Sequence, residues 1–376
     1  MLELTETQIM IRDMAARFVQ DRYSIEKRRE IVASPGGYDA GLWKELADLG
    51  LLGLLVSEEN GGFGGGGVEL MLMMNAIGSG LVVEPYLPVA VMAAQILDRA
   101  GHADLLGELI AGTALPVLAH FEPHAPTRPE AVEAKLQKAG ENYRLSGAKS
   151  LVPFAAAASH YIVSCREGDS GALTLALVSA KGGGIQREDC VTLDGRRVSE
   201  LAFDDVEVAA NAILTLPEGQ NAVECVTQII DDAILGVCAE GVSIAWQMHE
   251  QTLDYVKQRN QFGVAIGSFQ AIQHKMVEMY TEAQMAQSIV EYASSARDAR
   301  TSETTVAISA AKIRVAKALK FVGQHAVQFH GGMGMTEELA LAHYFRRASF
   351  LEHQFGTADQ HFARFEAMGG FPAIAA

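Results

Sequence analysis

Gln328-Phe329-His330-Gly331-Gly332-Met333-Gly334-Met335-Thr336 is the stretch whose reading decides the fold. It closes a helical pattern that opens near Thr304. One glycine is enough to end a helix; several in succession also let a ligand approach the bare backbone closely. Gln328 offers both a donor and an acceptor, as the edge of a purine or ribose requires. Upstream lie Arg259-Asn260-Gln261-Phe262-Gly263 and then Phe269-Gln270-Ala271-Ile272-Gln273. Arg259 also ends a helical pattern. A guanidinium there either complements the helix dipole or grips a pyrophosphate bidentately. Gln270 follows where a broken segment would bring it back to the same ligand, with Phe262 and Phe269 for apolar contact. The two clusters read together as a nucleotide-binding surface built from helices.

Around this surface the texture changes twice. Residues 1–114 read as helices: Ile9, Met10, Met14, Ala15 and Phe18 form a first stripe, and Leu42, Leu46, Leu49 and Leu51 form another beside Trp43. Further stripes run over 68–77 and 89–97. Residues 115–213 alternate short apolar runs with turn signals, which predicts a small antiparallel sandwich or barrel. Glu167-Gly168-Asp169-Ser170-Gly171 reads as one of its hairpin turns. From 214 to 376 long stripes return, over 219–258, 268–298, 303–329 and 336–367, and predict a four-helix bundle. Gly62-Phe63-Gly64-Gly65-Gly66-Gly67 fits the dinucleotide pattern G-x-G-x-x-G. No strand is predicted before it, so it reads as a connection into a helix.

Bulk properties narrow the class. A chain of 376 residues that is 49% hydrophobic buries a large core. Its formal net charge of -16 disfavours nucleic acid and anionic membranes as partners. Cys165, Cys190, Cys225 and Cys238 show no metal-ligand spacing. The acidic start, Met1-Leu2-Glu3-Leu4-Thr5-Glu6, lacks a basic leader, and no apolar run is membrane-length. The expectation is a soluble, cytoplasmic protein.

The segments RNQFGVAIGSFQAIQ (259–273) and QFHGGMGM (328–335) resemble motifs of the acyl-CoA dehydrogenases, a family of FAD flavoproteins. GLLVSEENGGFG (53–64) and LDGRRVSELAFDDVEV (193–208) are similar to that family too, as is the order helical, β, helical. The resemblance implies an α,β-dehydrogenation of an acyl-CoA thioester, as in fatty-acid β-oxidation, with an electron-transferring flavoprotein as acceptor. It also implies that Arg259, Gln261, Phe262, Gln270, Gln328, Gly331 and Gly332 hold the adenosine and pyrophosphate end of an FAD belonging to a neighbouring subunit. Thr357 joins that set.

The flavin-ring side departs from the family. Where the family reads T-E-P-x-x-G-S-D, this chain has Phe121-Glu122-Pro123-His124-Ala125-Pro126-Thr127-Arg128. Where the family has Trp-Ile-Thr beside the ring, it has Leu151-Val152-Pro153. Proline donates no hydrogen bond and leucine has no π face. The carboxylate that many members place before a Gly-Thr pair is Phe355 here. Other members carry their base on the first long bundle helix, where Asp231 stands beside Asp232. As a base, Asp231 would be desolvated and about 1 to 1.5 Å shorter in reach than glutamate; otherwise it is a solvated residue at the stripe's edge.

Three readings follow. One is a catalytically incomplete subunit that completes the FAD site of an intact relative in an α2β2 assembly, similar to the small subunits of pimeloyl-CoA and steroid-side-chain dehydrogenases. The second is an autonomous homo-oligomeric (tetrameric) dehydrogenase with Asp231 as base, and the third a flavin oxidase or monooxygenase on the same fold. An intact adenosine side beside a degraded ring side favours the first.

Overall fold

Helices begin where capping residues stand ahead of apolar stripes. In the computed structural model, which describes residues 2–168 and 171–370, α1 spans Glu6–Arg22. Thr5 caps it: its hydroxyl accepts from the Gln8 amide while the Gln8 side chain takes the Thr5 amide. α2 (Ile25–Ala33), α3 (Ala40–Asp48), α4 (Gly67–Gly80), α5 (Ala94–Arg99) and α6 (Ala103–Ile110) follow. Between α4 and α5 the buried stretch Tyr86–Ala93 winds as a π-helix, pinned where the Tyr86 hydroxyl donates to the Leu51 carbonyl at 2.8 Å.

The glycine run leads into α4 with no strand before it. The Gly66 amide goes to the Glu69 carboxylate, and the Gly67 and Val68 amides go to that of Asp298. The N-terminus that a dinucleotide phosphate would need already holds carboxylates of this chain. A Cβ on Gly66 would sit 2.1 Å from Asp298 Oδ1, which accounts for the glycine.

The middle segment forms one seven-stranded sheet: β1 (Pro116–Ala119), β2 (Lys135–Ala139), β3 (Asn142–Pro153), β4 (His160–Glu167), β5 (Ala172–Ser179), β6 (Ile185–Val191) and β7 (Arg197–Val208). The spatial order is β1-β4-β2-β3-β7-β6, with β5 also on β4. The sheet is mixed rather than antiparallel, because β1 and the start of β2 run parallel to β4. Apolar alternation reports which side chains are buried, not strand direction. β4 and β5 do form the expected hairpin, with Glu167 opposite Ala172; its tip, Asp169 and Ser170, lies outside the described residues.

The C-terminal segment holds α7 (Ala222–Gln258), a short hairpin of β8 (Asn260–Gln261) and β9 (Val264–Ala265), α8 (Gln270–Asp298), α9 (Thr304–His330), α10 (Ala340–Leu351) and α11 (Ala358–Ala367). The stripe over 336–367 is two helices instead of one. Gly356, at φ 111°, breaks the chain, and Thr357 restarts it with a capping box to Gln360.

By contacts the chain forms two units, which do not follow chain order. One is Met1–Arg29, Gly66–Val82 and Ile234–Ala376; the other is Glu30–Gly65 and Val83–Ala233. The core of the first includes Met73, Ile244, Met279, Ile308 and Leu319. It also contains a buried bidentate ion pair, with Arg347 Nε and Nη2 donating to Glu240 at 2.7 and 2.6 Å. The second packs Trp43, Leu46, Val89, Ile96, Ile162 and Leu175. No helix among the described residues is long and apolar enough to cross a membrane.

Candidate functional site

α7 ends at Gln258, and the chain turns back at once. The Ile266 amide donates to the Arg259 carbonyl at 2.8 Å and closes the β8–β9 hairpin. Its two turn residues, Phe262 and Gly263, have φ of 54° and 84°. Two positive φ values in a two-residue loop are the signature of a type I′ turn, which normally takes Asn and Gly. Phe262 is therefore held in a region that L-residues avoid, and it is 92% exposed. Its ring meets Phe269 edge-on, with centroids 6.3 Å apart. Phe269 precedes α8, whose first residue is Gln270. Arg259, Gln261 and Gln270 are all exposed, and the Arg259 guanidinium has no protein partner among the described residues.

The glycine motif reaches the same place. Gly331 ends α9 at φ 62°, and a Cβ on Gly331 or Gly332 would meet nothing within 4 Å, so the backbone here is open. Gly334 has a different reason to be glycine: its Cβ would crowd the Val327 carbonyl at 3.0 Å. What joins the clusters is a contact that the motifs did not single out. Tyr255, on the last turn of α7, stacks on His330 with ring centroids 4.2 Å apart and planes 25° from parallel. Burial holds the His330 imidazole below its ordinary range, and its Nδ1 lies 2.8 Å from the Ala326 carbonyl. The stack brings the start of the hairpin and the end of α9 together. Its signal was present in sequence, as an aromatic one turn before Arg259 and a histidine inside the glycine motif. Thr357 is the N-cap of α11, where its hydroxyl accepts from the Gln360 amide.

The strand-rich segment is built differently. Lys149 is fully buried on β3, and its ammonium donates to Glu122 at 2.7 Å, the His120 carbonyl at 3.0 Å and Ser164 Oγ at 3.1 Å. Glu122 in turn accepts the Glu133 and Ala134 amides. The loop 121–134 is thereby tied to its own root. Beyond Lys149 the strand bulges, and Leu151 takes φ 52° with half its surface exposed. The Leu151 amide and the Ser150 hydroxyl both go to Glu200 Oε1. Phe355 also adopts a positive φ, 61°, and its carbonyl accepts from His361 Nε2 at 3.0 Å.

Asp231 is 5% exposed and Asp232 4%, both on α7. The solvated alternative for Asp231 is thus corrected. A stripe read on one helix in isolation does not show how deeply its edge is buried.

These features have known counterparts. Residues 5–114 match the model of the acyl-CoA dehydrogenase N-terminal domain, and residues 224–365 match that of its C-terminal domain. The chain belongs to the acyl-CoA dehydrogenase family. A probable acyl-CoA dehydrogenase of Bacillus subtilis, YngJ, is 28% identical over 370 residues, covering 95% of this chain and 96% of that one. Among solved structures, the Tcur3481-Tcur3483 steroid acyl-CoA dehydrogenase superposes with a TM-score of 0.86 at 25% identity, over 97% of this chain and 98% of that chain. The ChsE4-ChsE5 complex from Mycobacterium tuberculosis has a chain of the same fold, with a TM-score of 0.88 at 23% identity and 99% of both chains covered.

An acyl-CoA dehydrogenase oxidises a CH–CH bond of an acyl-CoA thioester with FAD as cofactor. The cluster at the end of α7 and α9 suits the polar half of FAD: open glycine backbone, an unengaged guanidinium, exposed glutamines and an exposed aromatic pair. The residues at Leu151 and Pro153 do not suit the ring half, which needs a flat face and a donor.

Proposed function

We propose that this chain completes the FAD site of an intact acyl-CoA dehydrogenase subunit in an α2β2 assembly and holds no flavin ring itself. Arg259, Gln261, Phe262, Gln270, Gln328, Gly331 and Gly332 contact the adenosine and pyrophosphate of the partner's FAD. The acceptor for the assembled enzyme is an electron-transferring flavoprotein. FAD, when bound, supplies the two-electron acceptor for α,β-dehydrogenation of the acyl-CoA.

One observation carries this reading: the loop that would face a ring turns several of its amides on itself. Ala125 donates to the Glu122 carbonyl at 2.9 Å, Arg128 to Ala125 at 3.2 Å and Ala131 to Arg128 at 3.1 Å. Glu133 and Ala134 donate to the Glu122 carboxylate at 2.9 and 3.0 Å. Pro123, Pro126 and Pro129 have no amide hydrogen. With Leu151 and Pro153 alongside, a flavin in this subunit would leave its polar edge unpaired, at roughly 1 to 3 kcal/mol per lost contact.

The test is flavin content. The chain purified alone is expected to be colourless after gel filtration, whereas co-expression with an intact family member yields about one FAD per pair. Stoichiometric yellow protein from the single chain would overturn the proposal. The autonomous reading draws on the burial of Asp231, which gives a carboxylate the desolvation that an α-proton base needs.

A further inference from the structure

The segment Ser34–Asp39, between α2 and α3, lies beside the end of β3 and the start of β7 within the second unit. Arg197 Nη2 donates to the carbonyls of Val32 and Ser34, each at a long 3.3 Å. Gly37, at φ 67°, lies so close to Arg197 that a Cβ there would meet its Cγ at 2.5 Å. The Tyr38 ring meets Phe154 edge-on at 6.4 Å. The Asp39 amide donates to Glu84 Oε1 at 3.3 Å.

Glu84 is an odd anchor. It is 4% exposed, and its second oxygen, Oε2, is buried with no hydrogen-bond partner. The charged groups that face it are few. Arg196 attracts it from the turn before β7, but that guanidinium already has Asp194 3.6 Å away. The Asp39 carboxylate is committed to the Gly41 and Leu42 amides. Arg197 faces the carbonyls of the segment instead. Burial outweighs Glu84's own amide and those of Asp39 and Val83, which favour the charged form, and Oε2 has no partner, so a neutral carboxyl suits the site better than a carboxylate.

We propose that Glu84 is a proton-operated latch: neutral, it keeps Ser34–Asp39 seated on the sheet; ionised, it draws water to Oε2 and releases the segment. Burial, above all, pushes this carboxyl up to about 7, so the latch works near neutral pH. Once the segment opens, the carboxyl is in water and titrates near its ordinary value of 4.5. Linkage then makes opening more frequent as pH rises between the two values. From pH 5.5 to pH 8 the opening constant should grow roughly 10- to 30-fold. Release also frees Tyr38 from Phe154, the residue directly after Pro153 at the end of β3. The proposal concerns this chain alone and does not rest on its role as a partner subunit.

Amide hydrogen exchange on the whole chain tests it. Protection factors, corrected for the intrinsic pH dependence of exchange, are measured at pH 5.5 and pH 8 for peptides covering 34–42, with α10 as an internal control. Wild type is expected to lose protection roughly 10- to 30-fold in 34–42 at the higher pH while α10 stays level. Glu84→Gln, which cannot ionise, is expected to show equal protection at both pH values. A flat wild-type profile overturns the latch. So does an equal loss in α10, which would mark global loosening, or a loss that persists in Glu84→Gln.

Discussion

Replacing Phe262 by asparagine should make this chain more stable and the assembled dehydrogenase worse at holding its cofactor. The first half follows from the backbone. Phe262 sits at φ 54° in a type I′ turn ahead of Gly263. The left-handed region costs an L-residue about 1 to 2 kcal/mol, and Asn-Gly is the pair this turn prefers. Almost nothing in the chain repays that cost, since the ring is 92% exposed and its one ring contact is the edge of Phe269. Losing that half-exposed contact forfeits about 0.5 kcal/mol. The net expectation is a gain of about 0.5 to 1.5 kcal/mol, read as a modest rise in the urea midpoint with an unchanged slope. The second half follows from the proposed role. A ring this exposed gains its packing only against a ligand or a second chain, and losing it should weaken FAD binding by about 1 to 3 kcal/mol, roughly 5- to 150-fold. Flavin fluorescence titration of the assembled enzyme measures that. Destabilisation by Phe262→Asn, or an unchanged flavin affinity, would refute the reasoning.

Arg259→Ala should lower FAD affinity of the assembly by ~10- to 150-fold, through loss of a charge-assisted contact, while leaving the melting of the chain nearly unchanged because the side chain is exposed. If flavin affinity is untouched, Arg259 serves the α7 dipole only. Asp231→Asn is expected to leave turnover of the assembly almost unaltered; a selective ~100- to 10,000-fold loss with flavin retained would make Asp231 the base and this chain an enzyme in its own right. His120 is held down to about 4, first by burial and then by the Lys149 charge. An unfolded chain takes up that proton near 6.5, so stability present above pH 6.5 should drain away as pH falls towards 4, by about 3 kcal/mol at most. His120→Gln should flatten that part of the acid-unfolding curve, and an identical curve would show that other groups carry the effect.

The broad order of the fold was legible because stripes of period 3.6 bracket shorter apolar runs, and the cluster at the ends of α7 and α9 was legible because glycine, glutamine and arginine groups at helix ends are chemically conspicuous. The parallel pairing of β1 with β4 was not, since side-chain burial carries no information on strand direction. The break at Gly356-Thr357 was hidden inside a stripe that stays apolar across it. Asp231 looked like an edge residue because a helix read alone shows one buried face. The Tyr255–His330 stack was legible only as two separate rings: they stand 75 positions apart, and only packing decides which aromatic finds which. The positive φ of Phe262, Leu151 and Phe355 had no sequence signal, because each departs from the residue types that such a backbone prefers.

The carboxylate of Asp298 closes the first turn of α4 from 230 residues further along the chain. On a ribosome adding ~5 to 20 residues per second, that partner arrives roughly 10 to 45 s after α4 has emerged. Through that interval the amides of Gly67 and Val68 lack their acceptor, and Leu70, Met71, Met73, Met74 and Ile77, all buried in the finished protein, lack α8 to pack on. The nascent chain thus carries a methionine-rich apolar helix that, of its packing partners α1 and α8, has only α1 beside it until more than three quarters of the chain has been made. A fragment that stops before α8 should therefore bind hydrophobic dyes or chaperones and not fold, even though it contains every residue of the N-terminal helices.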